Sequence, residues 1–94
     1  MITRGYRYKF LSIAALQEAE KTLILATLAA VGLHGESRVR MDAAYTVDDA
    51  RFVIAVDTST VVGEDIACIF TAFIATEFGQ GQFLVRPMWQ EDHV

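Results

Sequence analysis

One stretch in the middle of the chain, residues 38–57, alternates between apolar and polar side chains. A single hairpin register satisfies both faces of this stretch: its loop lies at 47–50, and its far end pairs Arg40 with Asp57. Side chains of paired antiparallel strands alternate between the two faces of a sheet, so this register assigns every residue to one face. We therefore predict two neighbouring antiparallel strands, with one face toward a core and the other face open.

The two faces of the predicted hairpin differ in chemistry. The core face carries larger apolar side chains: Val39, Met41, Ala43, Tyr45, Phe52, Ile54 and Val56. The open face carries polar residues (Arg38, Arg40, Asp42, Thr46, Arg51 and Asp57) around three small apolar ones (Ala44, Val53 and Ala55). A flat apolar centre with a charged rim is typical of protein interfaces. We therefore predict that Ala44, Val53 and Ala55 contribute to self-association.

Two helices are predicted, one on each side of the hairpin. Ser12 is placed to cap the first helix, whose wide apolar stripe ends near Gly32 or Gly35. The Thr-Ser-Thr sequence at 58–60 offers several N-caps for the second helix, which ends at Gly79. Both helices thus have a start signal and a stop signal in the sequence.

Residues 6–11 and 82–88 are predicted to form the remaining strands. Pro87 lies near the end of the last strand, and its missing amide donor suits an edge position. The order strand, helix, strand, strand, helix, strand predicts an α+β fold of one domain, residues 1–94. Its expected form is a ferredoxin-like βαββαβ sandwich, an antiparallel four-stranded sheet with two helices on one face.

Composition indicates an oligomer. Hydrophobic residues make up 53% of the 94-residue chain and charged residues only 21%, which is more apolar than a small soluble monomer needs. The second helix contains an uncharged run at 66–76, so it has little polar surface for water. We predict a homo-oligomer, most simply a dimer, in which Trp89 is either folded over an apolar edge or presented to a partner.

The open face of the predicted sheet collects most of the basic residues: Arg7, Lys9, Arg38, Arg40, Arg51 and Arg86. Sheets that bind RNA stack bases on exposed aromatic side chains. Here the strand aromatics Tyr8, Phe10, Tyr45 and Phe52 have the parity of the core face. The net charge of −4 also argues against nucleic acid as the main ligand.

No catalytic, metal or cofactor motif is present in the sequence. The single cysteine, Cys68, lies in the most apolar segment, where we predict a buried and inert thiol. His34 and His93 have no zinc-ligand spacing with it. No cofactor and no metal are therefore expected, and the sequence resembles no known family at the level of motifs.

Two main hypotheses follow. The first is a small non-enzymatic homo-oligomer that binds a small molecule or a protein partner, with Arg40, Arg51, Asp57 and Arg86 as candidate binding residues. The second is a small enzyme whose pocket forms between subunits and uses Arg40, Asp57 and Arg51. RNA binding by the sheet is a third and weaker hypothesis.

Localisation is predicted from the lengths of the apolar segments. The uncharged runs at 22–35 and 66–76 are shorter than the ~20 residues that span a bilayer. The basic N-terminus is not followed by an apolar stretch with a cleavage site, which argues against a signal peptide. We therefore expect a cytoplasmic protein without a membrane segment.

Overall fold

The computed structural model describes residues 2–89, with the side chains of residues 2–88. The elements are β1 (Arg4–Phe10), α1 (Ile13–His34), α2 (Glu36–Asp42), β2 (Tyr45–Asp48), β3 (Val53–Asp57), α3 (Val61–Phe78), a 3₁₀ turn (Gln80–Gln82) and β4 (Phe83–Trp89). Within the described residues, no helix combines the length and apolar character needed to cross a bilayer.

The four strands form one antiparallel sheet in the order β2-β3-β1-β4. Helices α1 and α3 pack on each other and on one face of the sheet. The core between them is closed by fully buried side chains: Tyr8, Phe10, Leu16, Leu23, Ile54, Val56, Phe70 and Ile74. These findings confirm the predicted α+β class and the antiparallel four-stranded sheet. The arrangement is not a simple ferredoxin-like one, because it contains a third helix.

The ends of the two long helices are those that the sequence predicts. The Ser12 Oγ accepts a hydrogen bond from the Ala15 amide at 3.1 Å, and the Thr60 Oγ1 accepts one from the Gly63 amide at 3.0 Å. Both helices end at glycines with positive φ, 87° at Gly35 and 85° at Gly79, a conformation that costs glycine little.

The prediction that residues 38–42 belong to a strand is wrong, because Glu36–Asp42 forms helix α2. Ion pairs one helical turn apart stabilise this helix: Glu36 with Arg40 and Arg38 with Asp42, each at 2.7 Å. Apolar residues two positions apart share a face only in a strand. Their side chains diverge in α2, where Val39 is buried at 4% exposure and Met41 is 81% exposed.

The predicted hairpin register is also wrong. The structure pairs Tyr45 with Val56, four residues beyond the predicted partner Phe52, and the turn lies at 49–52. Because the shift is an even number of residues, the residues that remain in β2 and β3 keep their predicted faces. The predicted pair of Arg40 with Asp57 does not form.

Tyr8 connects β1 to α3 through the core. Its ring meets the Phe70 ring edge-on at a centroid distance of 4.8 Å, and its hydroxyl lies 2.7 Å from the Thr71 Oγ1. Desolvation by burial raises the pKa of the Tyr8 hydroxyl to about 12. The side chain is therefore a neutral core group over the physiological pH range.

Candidate functional site

A shallow groove crosses the open face of the sheet, the face on which none of the described helices packs. It has a volume of about 240 Å³ and is lined by Arg7, Lys9, Arg51, Val53, Leu84 and Arg86. We call it the cationic groove, because these lining residues include four of the eight Lys and Arg residues in the chain.

Strand register brings these cations together. On β1, alternate residues face the helices, as the buried Tyr8 and Phe10 show, so Arg7 and Lys9 point to the open face. Arg7 lies opposite Arg86 of β4 on one side, and Lys9 lies between Val53 of β3 and Leu84 of β4. The Lys9 Nζ also donates a hydrogen bond to the Arg51 carbonyl oxygen at 3.1 Å.

The groove has an excess of positive charge. Among the described residues, Arg7, Lys9 and Arg86 have no carboxylate within 4.0 Å. Arg51 has one at the long distance of 3.8 Å, between its Nε and the Asp48 Oδ2. The sheet face is therefore locally positive on a chain whose net charge is −4.

Cations on the helices have a different environment. The Lys21 Nζ lies 3.2 Å from a Glu18 oxygen, and Arg38 and Arg40 each have a carboxylate at 2.7 Å. Each of these carboxylates lies three or four residues away on the same helix. The cations of α1 and α2 named here thus form ion pairs with acidic residues, whereas among the described residues only Arg51 of the cationic groove has a carboxylate within 4.0 Å.

The apolar centre predicted for the open face is present but covered. Val53 and Ala55 are each only 7% exposed, and the aliphatic stems of arginine and lysine are well suited to cover such residues. Ala44 lies outside β2 and is exposed, and its carbonyl oxygen accepts a hydrogen bond from the Asp57 amide at 2.9 Å. Trp89 ends β4, and its side chain lies outside the described part of the chain. Self-association through these residues stays a prediction, with little apolar area at Val53 and Ala55 to support it.

The four predicted binding residues separate into two groups. Arg51 and Arg86 line the cationic groove. Arg40 lies on α2 in its pair with Glu36, and Asp57 ends β3, where its Oδ1 accepts a hydrogen bond from the Ser59 amide at 2.7 Å. Arg51 precedes the other end of β3, so one chain does not bring Arg40, Arg51 and Asp57 together. The inter-subunit enzyme pocket built on these three stays a prediction.

Arg7 and Lys9 were missed as site residues by sequence reasoning, although their open-face parity was predicted. The signal was the alternation of Tyr6, Tyr8 and Phe10 with basic residues along β1. Grouping these cations with Arg86 required the β1–β4 register, which no local pattern contains.

A second groove lies between α3 and the outer strand β4 and has a volume of about 480 Å³. We call it the edge groove; the described residues that line it carry no formal charge and are Tyr6, Ala67, Cys68, Thr71, Ala72, Ala75 and Val85. The prediction of a buried Cys68 is wrong, since this thiol is exposed. Residues 2–88 leave the small-residue side of α3 uncovered here.

Aromatic and metal-binding groups do not add to the cationic groove. Tyr6, Tyr8 and Phe10 share the helix-facing parity of β1, and the described residues that line the groove include no aromatic one. Within residues 2–89, no group of three or more His, Cys, Asp or Glu side chains is placed to hold a metal ion. Comparison with known protein families, curated proteins and solved structures found no match.

Proposed function

We propose that this protein is a small cytoplasmic binding protein, acting as a homodimer, that binds a multiply charged anion on the open face of its sheet. The observation that carries the proposal is the cationic groove. Three of its four cations have no carboxylate within 4.0 Å among the described residues. The ligand class is a compact molecule with phosphate or carboxylate groups.

Electrostatics favour such a ligand. Arg7 and Arg86 lie directly opposite each other on neighbouring strands, and like charges in that position destabilise a sheet. An anion between the two guanidinium groups replaces this repulsion by attraction. Guanidinium groups also bind phosphate and carboxylate through paired hydrogen bonds, which adds geometric selectivity.

The size of the cationic groove limits the ligand. Its volume of about 240 Å³ is slightly below the ~300–1,000 Å³ of drug-sized sites. Val53 and Leu84 provide an apolar floor between the cations. These dimensions suit a small polyvalent anion of the size of pyrophosphate or a tricarboxylate.

We further infer that the chain is a ferredoxin-like variant in which α2 interrupts the first crossover. Support comes from the order β2-β3-β1-β4 and from α1 and α3 packing together. In this arrangement none of the helices within residues 2–89 covers one sheet face, which leaves that face available to a ligand.

RNA is the second candidate ligand because its phosphates carry the same charge. The cationic groove favours phosphate contacts, but its described lining lacks the aromatic residues on which RNA-binding sheets stack bases. A small anion therefore fits the groove better than a single strand does.

Isothermal titration calorimetry with pyrophosphate tests the proposal. We expect Arg86→Gln to weaken binding at least about tenfold, which corresponds to about 1.4 kcal/mol. Arg40→Gln is the matched control, because it removes the same charge from α2, and its affinity is expected to match the wild type. Equal affinities of both variants, or no heat of binding to the wild type, would overturn the proposal. If an oligonucleotide binds far more tightly than pyrophosphate and its binding requires Arg86, the ligand class is nucleic acid and not a small anion.

A further inference from the structure

The two edges of the sheet differ in length and chemistry. One edge is β2, which has only four residues and ends at Asp48. The other is β4, which has seven residues and exposes Leu84 at 60% and Val85 at 37%. No strand among the described residues pairs with this edge, and a long, apolar, unpaired edge is a template for another strand. This edge also borders the edge groove.

Hydrogen bonds of β1 show which backbone groups of β4 point outward. The Phe10 amide donates to the Phe52 carbonyl at 2.8 Å, and the Arg4 carbonyl accepts from the Thr58 amide at 3.0 Å. Even-numbered residues of β1 therefore point their backbone groups toward β3, and odd-numbered ones point toward β4. Their partners on β4 are residues 84, 86 and 88. The backbone groups of residues 83, 85 and 87 consequently point outward. Pro87 has no amide hydrogen, but an amide at this position would not donate to β1.

We propose that a second copy of this chain pairs antiparallel with the outer edge of β4, about a two-fold axis at Val85. This inference rests on the self-association in the proposed function and names its surface. In this register Val85 exchanges two hydrogen bonds with the partner's Val85. The Phe83 amide donates to the carbonyl oxygen of the partner's Pro87, so residues 83–87 of both copies pair.

Charge argues against one alternative register, the one with its axis at Arg86. An axis at Arg86 would place that arginine directly opposite the partner's Arg86, a destabilising like-charge pair. With the axis at Val85, Leu84 lies opposite the partner's Arg86 instead. The two cationic grooves then meet along one continuous open face.

The edge groove explains why the occupant is a second copy. The axis at Val85 brings this groove against its own copy, and none of the lining residues that the structure describes carries a formal charge. Two such surfaces join without repulsion and without an unpaired buried charge. The small residues Ala67, Ala72 and Ala75 also allow close approach of α3 to the partner's α3.

Light scattering after size exclusion gives the test. The wild type is expected at twice the 10.4 kDa mass of one chain. Val85→Pro removes an amide that points away from β1, so it should yield folded monomer. Ala72→Glu puts a charge into the edge groove and should do the same. Leu25→Glu is the matched control on the exposed side of α1, and it should remain a dimer.

Cys68 provides a second readout, because the pairing covers the edge groove. A thiol reagent should label the wild type several-fold more slowly than either monomeric variant. A wild type at the mass of one chain, dimers in both edge variants, or a monomer only with Leu25→Glu would overturn the pairing. A monomeric wild type that still binds pyrophosphate would overturn the pairing and the homodimer of the proposed function but not the anion site, whereas a dimer that binds none would overturn only the anion site.

Discussion

Arg7 and Arg86 lie directly opposite each other on β1 and β4, on the open face of the sheet. Neither has a carboxylate within 4.0 Å among the described residues. A pair of this kind destabilises the isolated protein. Natural proteins often retain a destabilising arrangement of side chains where the same side chains bind a ligand. We therefore expect that substitution of Arg86 raises the stability of the protein and weakens its binding of an anion.

Arg86→Glu should raise the thermal midpoint while abolishing pyrophosphate binding. The new carboxylate faces Arg7 across the strands, and a cross-strand ion pair contributes roughly 0.2–1 kcal/mol. Thermal denaturation and calorimetry on the same sample measure the two effects. Arg40→Glu makes the same charge change on α2, where it loses the pair with Glu36. We expect that control to keep its affinity and lose some stability; a fall in stability with Arg86→Glu would contradict the prediction.

Thr60→Ala should lower the free energy of unfolding by about 1–2 kcal/mol, the upper range for loss of an N-cap. The hydroxyl accepts from the Gly63 amide at 3.0 Å and also donates to the Asp42 carbonyl at 3.0 Å. It thereby links the end of α2 to the start of α3. Urea denaturation measures the loss, and Thr60→Ser, which keeps the hydroxyl, should retain most of the stability. If the serine variant is as unstable as the alanine variant, the loss of stability comes from removal of the threonine methyl group and not of the hydroxyl.

Gly63→Ala and Gly32→Ala should change stability in opposite directions. A Cβ atom at position 63 would overlap the Asp57 carbonyl oxygen, a rigid main-chain group. Overpacking of this kind costs about 1–3 kcal/mol. Position 32 of α1 has no atom within 4 Å of an added Cβ, so alanine should stabilise by roughly 0.5–1 kcal/mol through helix propensity. Chemical denaturation of both variants gives the sign of each change in unfolding free energy. A stabilising Gly63→Ala would show that α3 can shift away from the end of β3 without loss of stability.

Tyr8 should make the protein sensitive to alkaline pH. Burial raises the pKa of its hydroxyl from 10 to about 12 in the folded state, so folding favours the protonated form. This contribution to stability is complete below pH 10 and is lost as the pH rises through about 12. The comparison is with Tyr8→Phe, which has no proton to lose and should show a shallower fall in unfolding free energy between pH 10 and pH 12. Parallel stability curves would exclude Tyr8 as the cause.

The limits of each helix follow from local chemistry, which explains where sequence reasoning succeeded. Ser12 and Thr60 satisfy amides within three residues, and Gly35 and Gly79 supply the positive φ that ends a helix. Residues 36–42 show the opposite case. Their alternation fits a strand, but carboxylate–guanidinium pairs four residues apart, together with the burial of Val39, stabilise a helix instead.

In the cationic groove, too, one property was predictable from local sequence and another was not. Alternation along β1 predicted that Arg7 and Lys9 point away from the core, because side-chain parity is a local property of a strand. Their grouping with Arg51 and Arg86 depended on β4 pairing beside β1 and on the turn at 49–52. The β1–β4 pairing joins segments distant in sequence, and the turn brings Arg51 to the groove only because β3 pairs with the other side of β1.

By itself, the sequence determined the α+β class, the caps of both long helices and the face that most strand side chains occupy. These properties depend on hydrogen bonds and periodicities within a few residues. Only the tertiary structure decided the hairpin register, the burial of Val39 on α2, the exposure of Cys68 and the assembly of the cationic groove. Those outcomes depend on which distant surfaces pack together and bury the most apolar area, and local patterns do not encode that choice.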